Sequence, residues 1–472
     1  MLSLEGDRMT SNSRRPAPLR RISLLLAALL CIGIVPAAAQ DVADDFSILS
    51  EEVGPGETVE VLVTGWHPVT GEAPEVSALA EDGGMVAVTG DEFLKSVSGN
   101  GDVANVRRFQ YLPAIAMTMD SDALTAARSY DDSVKVWMDW PVEPYLSDSG
   151  PMVGADRAHG GGYTGRGTWV AVIDTGVDID HPFIAGRPVA EACFADRCPN
   201  GRKKMLGEGA ARPVHSHGTH VAGIALGRGD GMSGVAPEAG LIAINVFNPD
   251  GGARNSNILA ALDWLIGVAW TQPVTIASVN MSLGAPVHRS WPCEDELYDL
   301  AVEYLARRDV VVVAAAGNES KADGISHPAC VEDIVSVGAI DKGSRVARFS
   351  NSAPILDMLA PGVDINSSVP RSGGGKEPFE EFPGTSMAAP HVAGAYALLR
   401  QAAPFRSVQD FYRALVGSGE DIRDGRNGIT KPALDVAGAL KALGVQADAE
   451  QASPADSDAP ADEDGGWKPI TE

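Results

Sequence analysis

Three stretches of this sequence concentrate residues that can hand a proton along: Val172-Ile173-Asp174-Thr175-Gly176-Val177-Asp178, His215-Ser216-His217-Gly218-Thr219-His220-Val221-Ala222-Gly223, and Gly384-Thr385-Ser386-Met387-Ala388-Ala389-Pro390-His391-Val392-Ala393-Gly394. A serine hydroxyl is a weak nucleophile until a neighbouring base takes its proton, and that base needs an acid to hold it in one tautomer. Asp174, His217 and Ser386 supply the three types. Asp174 ends an apolar run, where a carboxylate is held in place; Ser386 follows a Gly-Thr turn and opens a run of small residues suited to a helix start, near backbone N–H groups. The histidines admit a second chemistry, since His215, His217 and His220 are closely spaced and imidazole is the commonest metal ligand. Against it, no His-Glu-x-x-His occurs, and a metal leaves the Gly-Thr-Ser segment without a part.

Taken in chain order, the segments resemble the catalytic motifs of the subtilisin-like serine proteases, over roughly residues 150–445. The resemblance implies that Asp174 orients the imidazole, that His217 is general base and then acid, and that Ser386 attacks the scissile carbonyl. His217 is preferred to His215 and His220 because the family's base is the first histidine of His-Gly-Thr-His-Val-Ala-Gly. Ala315-Ala316-Gly317-Asn318 resembles the segment whose Asn amide, with the nucleophile's own N–H, stabilises the oxyanion. Met281-Ser282-Leu283-Gly284 resembles the edge that pairs with an extended peptide, so Ser282, Leu283 and Gly284 form one wall of the first specificity pocket and Ala315, Ala316 and Gly317 the other. These residues are small, which points to a roomy, mostly apolar pocket, with Glu319 placed to favour a basic side chain at its rim.

The resemblance implies no cofactor for the chemistry. It allows a structural calcium without assigning one: many relatives carry an aspartate after His-Pro and an Asn-rich loop after Val-Ala-Gly. Here Phe183 follows His181-Pro182, and the loop 224–233 offers Arg228, Asp230 and glycines, a thin set for a cation that wants several oxygens. Cys193, Cys198, Cys293 and Cys330 admit three pairings; proximity together with the resemblance favours Cys193 with Cys198 and Cys293 with Cys330.

The elements that must position these residues follow from hydrophobic pattern. Trp169–Ile173, Leu241–Val246 and Val310–Ala314 are near-continuous apolar runs that alternate with helical stretches such as 256–269. That is the mark of a doubly wound α/β domain with a parallel sheet, whose ligand site lies at the carboxyl ends of the strands, where Asp174 and Asn318 fall. Ahead of it, 59–63, 114–119 and 134–138 alternate in the manner of half-buried strands, and Ser121 reads as the N-cap of a helix over 121–127. This small α+β unit resembles the family's inhibitory propeptide in position and element order. Pro141, Pro144 and the polar residues 147–151 read as a linker.

The chain has 472 residues, a formal net charge of −26, and hydrophobic and charged contents of 44% and 21%. Those proportions belong to folded chains, and the negative charge excludes a nucleic-acid partner. Arg14, Arg15, Arg20 and Arg21 precede an apolar run, 22–35, and a small-residue cleavage site after Ala39, which is the form of a secretory signal and too short for a stable membrane anchor. Residues 446–472, with eight acids and one lysine, read as a disordered tail. The expected organisation is a signal peptide over 1–39, a propeptide over 40–147 folded at about 59–144, a catalytic domain over 148–445, and the tail. The expected function is a secreted serine endopeptidase, periplasmic or extracellular, monomeric and self-processed. Its partners are polypeptide substrates and its own propeptide. A dedicated processing protease or transpeptidase acting on one partner peptide is the alternative.

Overall fold

Strands that are apolar at every position must be covered on both faces, and the way the chain meets that demand fixes the whole architecture. The computed structural model describes residues 53, 57–64, 93–109, 114–130, 134–139, 141–144, 151–229, 232–370 and 379–446. The expected signal peptide, the bonds following Pro144 and nearly all of the acidic tail lie outside the described residues.

An eight-stranded sheet runs in the spatial order Met358–Pro361, Ile334–Ile340, Val311–Ala315, Ile276–Met281, Trp169–Asp174, Gly240–Asn245, Val189–Cys193 and Met205–Leu206. Every pairing is parallel except the last. Alternate residues of one strand serve opposite layers, as a two-residue period requires. Ala171 and Ile173 pack with Ile258 and Leu262 of the helix Asn255–Thr271, whereas Val170 and Val172 pack with Val221 of His217–Leu226 and Met387 of Thr385–Ala402. The doubly wound α/β expectation is met.

The N-terminal unit is an antiparallel sheet in the order Val103–Arg108, Ala114–Asp120, Thr58–Thr64, Lys135–Met138, with the helix Ser121–Arg128. Val61, Val63, Ile115, Met117 and Met119 line its own core, and the alternate residues Leu62, Ala114 and Ala116 join the core around Asn255–Thr271. Two sequence expectations are corrected. The helix is capped by Asp120, whose Oδ1 accepts from Ala123 N at 2.8 Å, and not by Ser121. Residues 141–144 are not linker: Pro141–Pro144 is a strand in a second, four-stranded sheet, between Ala253–Arg254 and Leu283–Arg289. Prolines argue against a central strand because they cannot donate; here they sit at its two ends, and the register pairs Val142 with Ala253 on one side and Glu143 with Gly284 on the other. Among the described residues no helix is long and apolar enough to cross a membrane.

Candidate active site

Asp174 is the last residue of a fully buried strand, and His217 is the first residue of a buried helix. His217 Nδ1 donates to Asp174 at 2.7 Å (Oδ1) and 2.9 Å (Oδ2), with both side chains 0% exposed. A carboxylate only accepts, so the contact fixes the proton on Nδ1 and leaves a lone pair on Nε2. Nε2 is buried and has no hydrogen-bond partner among the described residues, so its basic site is open to them. Local backbone explains the motif residues. Thr175 N donates to Asp174 Oδ1 (2.7 Å), and Thr175 Oγ1 accepts from Gly218 N (2.9 Å), which ties the start of the His217 helix to the end of the Asp174 strand. A Cβ on Gly218 would lie 2.2 Å from the Gly176 carbonyl oxygen, so only glycine lets the two segments approach.

Ser386 is the second residue of the helix Thr385–Ala402. Gly384 precedes it at φ 154°, ψ 158°, a region essentially reserved for glycine. Pro390 stands inside that helix and has no N–H for the carbonyl four residues back. The freed carbonyl is that of Ser386, and Ser282 Oγ donates to it instead. Ser282 Oγ in turn accepts from Asn280 Nδ2 at 2.9 Å. The Ser386 hydroxyl donates to the Ser282 carbonyl at 3.1 Å, not to His217. The structure thus joins Asp174 to His217 and Ser386 to Ser282; the hydroxyl must turn from one acceptor to the other for a proton to pass to Nε2.

Asn318 follows Gly317, whose φ is 101°. Its Oδ1 accepts from Thr385 N (2.8 Å) and Thr385 Oγ1 (3.0 Å). Two donors on one end settle the amide's orientation and turn Nδ2–H, the donor end, away from Thr385. The other histidines diverge. His220 Nε2 donates to Glu380 O at 3.0 Å, and burial pushes its pKa down to about 3. His391 Nδ1 donates to Met387 O at 2.6 Å, with its pKa pushed down to about 4 by burial. His215 Nδ1 accepts from His217 N at 3.3 Å. These imidazoles face separate partners, and among the described residues no group of three or more His, Cys, Asp or Glu is disposed around one point.

Where the resemblance allowed calcium, the residues do not fit it. The Phe183 ring is 4% exposed, stands edge-on to Phe379 at 5.3 Å, and leaves no room at Gly227, where a Cβ would lie 1.8 Å away. A hard cation wants several oxygens, and this space holds an aromatic ring. Both expected disulfides are present, Cys193–Cys198 and Cys293–Cys330, with Cα–Cα separations of 5.9 and 5.2 Å.

The N-terminal unit reaches the site through contacts that sequence reasoning missed. Asp139, 4% exposed, accepts from Ser256 N at 2.6 Å and from Ser256 Oγ, at the start of a helix with no side-chain cap of its own. Burial raises its pKa to about 6, against the lowering effect of the Ser256 bonds and of Arg254 and Arg107. Arg107 donates to Ser256 O at 3.0 Å, and Glu60 pairs with Arg254 at 3.2 Å. Beyond Asp139 the chain continues as the strand Pro141–Pro144, antiparallel to Leu283 and Gly284. No sequence signal links Asp139 to Ser256 across 117 residues; only the missing cap at 254–255 hints that a partner is wanted.

Sheet, helix starts and polar groups together define a serine peptidase. The family model described as "Subtilase family" matches residues 165–431. Subtilisin-like protease 3 of Pseudogymnoascus destructans is 38% identical over 298 residues, 63% of this chain and 67% of that protein. Subtilisin E of Bacillus subtilis is 34% identical over 303 residues (62% and 72%), and an intracellular serine protease of Paenibacillus polymyxa is 40% identical over 248 residues (51% and 68%). The chain belongs to the subtilase family and is a subtilisin-like serine endopeptidase acting on polypeptides.

Proposed function

We propose that the chain is an exported, self-processing proenzyme whose chemistry runs through Asp174, His217 and Ser386, with Asn318 in the oxyanion hole. The observation that carries this reading is the Asp174–His217 pair, which leaves Nε2 without a partner among the described residues, together with Ser386 in the first turn of the helix Thr385–Ala402. In acylation the Ser386 hydroxyl leaves the Ser282 carbonyl for Nε2. The oxygen attacks the scissile carbonyl, and the imidazolium, held by Asp174, then protonates the leaving amine. The oxyanion is met by Asn318 Nδ2–H and the Ser386 N–H. Water repeats the sequence on the acyl-enzyme.

Substrate enters as an added strand between Ala253–Arg254 and Leu283–Gly284, the place that Pro141–Pro144 takes in this chain. Residues 40–147 then act as propeptide and 148–445 as the mature domain. Pro144 is opposite Leu283, and the neighbouring Ser282 carbonyl receives the Ser386 hydroxyl, so self-cleavage is expected between Pro144 and Met152, in the first bonds beyond Pro144. The charged and apolar pattern of residues 1–39 supports export to the periplasm or the medium without an anchor, and the protein acts as a monomer.

Expression of Ser386→Ala in a protease-deficient host tests the proposal: the precursor stays at full length on a gel, and a mature-sized product from that variant contradicts self-cleavage. Hydrolysis of denatured casein, abolished by a serine-reactive phosphonate, separates a broad endopeptidase from an enzyme dedicated to one peptide, which takes the label yet leaves casein intact.

A further inference from the structure

Beside the oxyanion asparagine lies a charged pair that the chemistry above leaves unused. Glu319 follows Asn318, and its Oε2 accepts from Asn351 Nδ2 (2.6 Å), from His288 Nε2 (3.2 Å) and, weakly, from Ser326 Oγ (3.4 Å). The carboxylate lies directly under Gly317: a Cβ there would be 2.8 Å from Glu319 Oε2 and 2.2 Å from Ser326 Oγ. Glycine is therefore required, and the floor behind the wall 315–317 is acidic. His288 arrives from the opposite wall. Its strand, Leu283–Arg289, pairs with the inserted Pro141–Pro144 at Leu283 and Gly284 and with Ile325–His327 further on. The register shifts between Ala285 and His288, and beyond the shift His288 is opposite Ser326. Irregularities of this kind re-aim side chains next to active sites. At 20% and 28% exposure, His288 and Glu319 are partly desolvated yet within reach of a substrate side chain.

We propose that this pair reads the charge of the substrate residue on the amino side of the scissile bond, and that His288 sets the reading. With a neutral imidazole, Glu319 offers a net negative floor that accepts a lysine or arginine side chain. With an imidazolium the floor is already neutralised and takes apolar side chains instead. Preference for a basic residue thus rises as rising pH removes the positive charge that covers Glu319. The other charged groups around His288 are Arg289, which donates to the His288 carbonyl at 3.1 Å, and the exposed Lys321 and Asp323 of the loop that packs on it at Gly324. None of these is paired with His288 as Glu319 is.

The inference rests on the proposed pocket walls, and the test separates the two. Matured enzyme, quantified by phosphonate titration, is given peptides that differ only in Lys or Leu before the cut, and kcat/KM is measured from pH 5.5 to 8.5. Taking the ratio of the two substrates cancels any pH dependence of the catalytic steps that both share. The expected Lys/Leu ratio rises about tenfold across this range, the effect of uncovering one partly buried charge. In His288→Gln the ratio is already high at pH 5.5 and stays flat; in Glu319→Gln it is lower than in the wild type at every pH. A flat wild-type ratio, or a rise that survives in His288→Gln, overturns the inference. Should Glu319→Gln leave the ratio unchanged at every pH, the pocket assignment itself falls with it.

Discussion

The helices Glu296–Ala306, Val408–Ser418 and Val436–Ala442 begin on side chains of their own, Asp295, Ser407 and Asp435. The helices that border the site do not. His217–Leu226, Asn255–Thr271 and Thr385–Ala402 carry no side-chain cap at their N-cap residues. Each instead receives an oxygen from a distant segment: Thr175 Oγ1 for Gly218 N, Asp139 for Ser256 N, and Asn318 Oδ1 for Thr385 N. The first group is capped from within its own segment, although Asp295 also accepts from His327 and Asp435 from Arg157. In the second, the contact that satisfies a free N–H also fixes a group with a proposed function, because Thr175 follows the Asp174 carboxylate, Asn318 holds the proposed oxyanion donor, and Asp139 belongs to the unit whose next strand pairs with Leu283 and Gly284. Helix starts are thus the joints at which this fold converts stability into alignment.

The sharpest break would come from uncoupling orientation from structure at the central pair. Asp174→Asn keeps the shape but lets the imidazole take the wrong tautomer, and kcat is expected to fall about 10,000-fold. Circular dichroism should be unchanged, and a loss below tenfold would break the link. Next in size is Asn318→Asp. Its Oδ still accepts from Thr385 N, so the helix start survives and the melting temperature stays within a few degrees, while the lost Nδ2–H lowers kcat about 100- to 1000-fold, the scale measured for removing one such donor from a subtilisin. A variant that melted early instead would make Asn318 a cap and nothing more.

Asp139 gives a smaller effect with a definite sign. Its pKa in the assembled protein is pushed up to about 6, whereas a free carboxylate titrates near 4. The assembled form therefore takes up the proton first on acidification. Its hold is fullest below about pH 4 and is lost as pH rises through 6. The apparent dissociation constant of the cleaved but still associated N-terminal unit should rise about tenfold from pH 5 to pH 7. Asp139→Asn should flatten that dependence. Smallest is a matched pair of cap deletions, Ser407→Ala and Thr175→Val, each costing about 1 kcal/mol in urea denaturation. Only Thr175→Val should also lower kcat, since only it loosens the His217 helix. Equal kinetic effects would erase the distinction between the two groups of helices.

What is written locally in the chain was legible in the sequence, and what joins distant segments was not. Hydrophobic pattern alone locates the strand at Trp169, the strand at Leu241 and the helix after Asn255, because burial on both faces leaves an unbroken apolar record. The three motifs name Asp174, His217 and Ser386 because their glycines answer local crowding, as at Gly218 and Gly384. What spans the chain leaves no such mark. Asp139 is one aspartate among many until Ser256 is beside it, and Thr175 is one threonine until Gly218 N points at it. Pro141 and Pro144 read as linker because a proline usually ends pairing; the strand forms since the residues between them carry the register. Phe183 was visible as a departure from the calcium pattern, but Phe379, which closes over it, stands 196 positions away.

The central claim, that one serine beside an Asp-held imidazole carries the acyl group, is tested most directly by labelling. The mature protein is treated with a serine-reactive phosphonate and digested, and the adduct is located by mass spectrometry. A single adduct on Ser386, lost in His217→Ala, is the predicted result. An adduct on another residue, or hydrolysis of casein that continues at full rate with Ser386 modified, would contradict it.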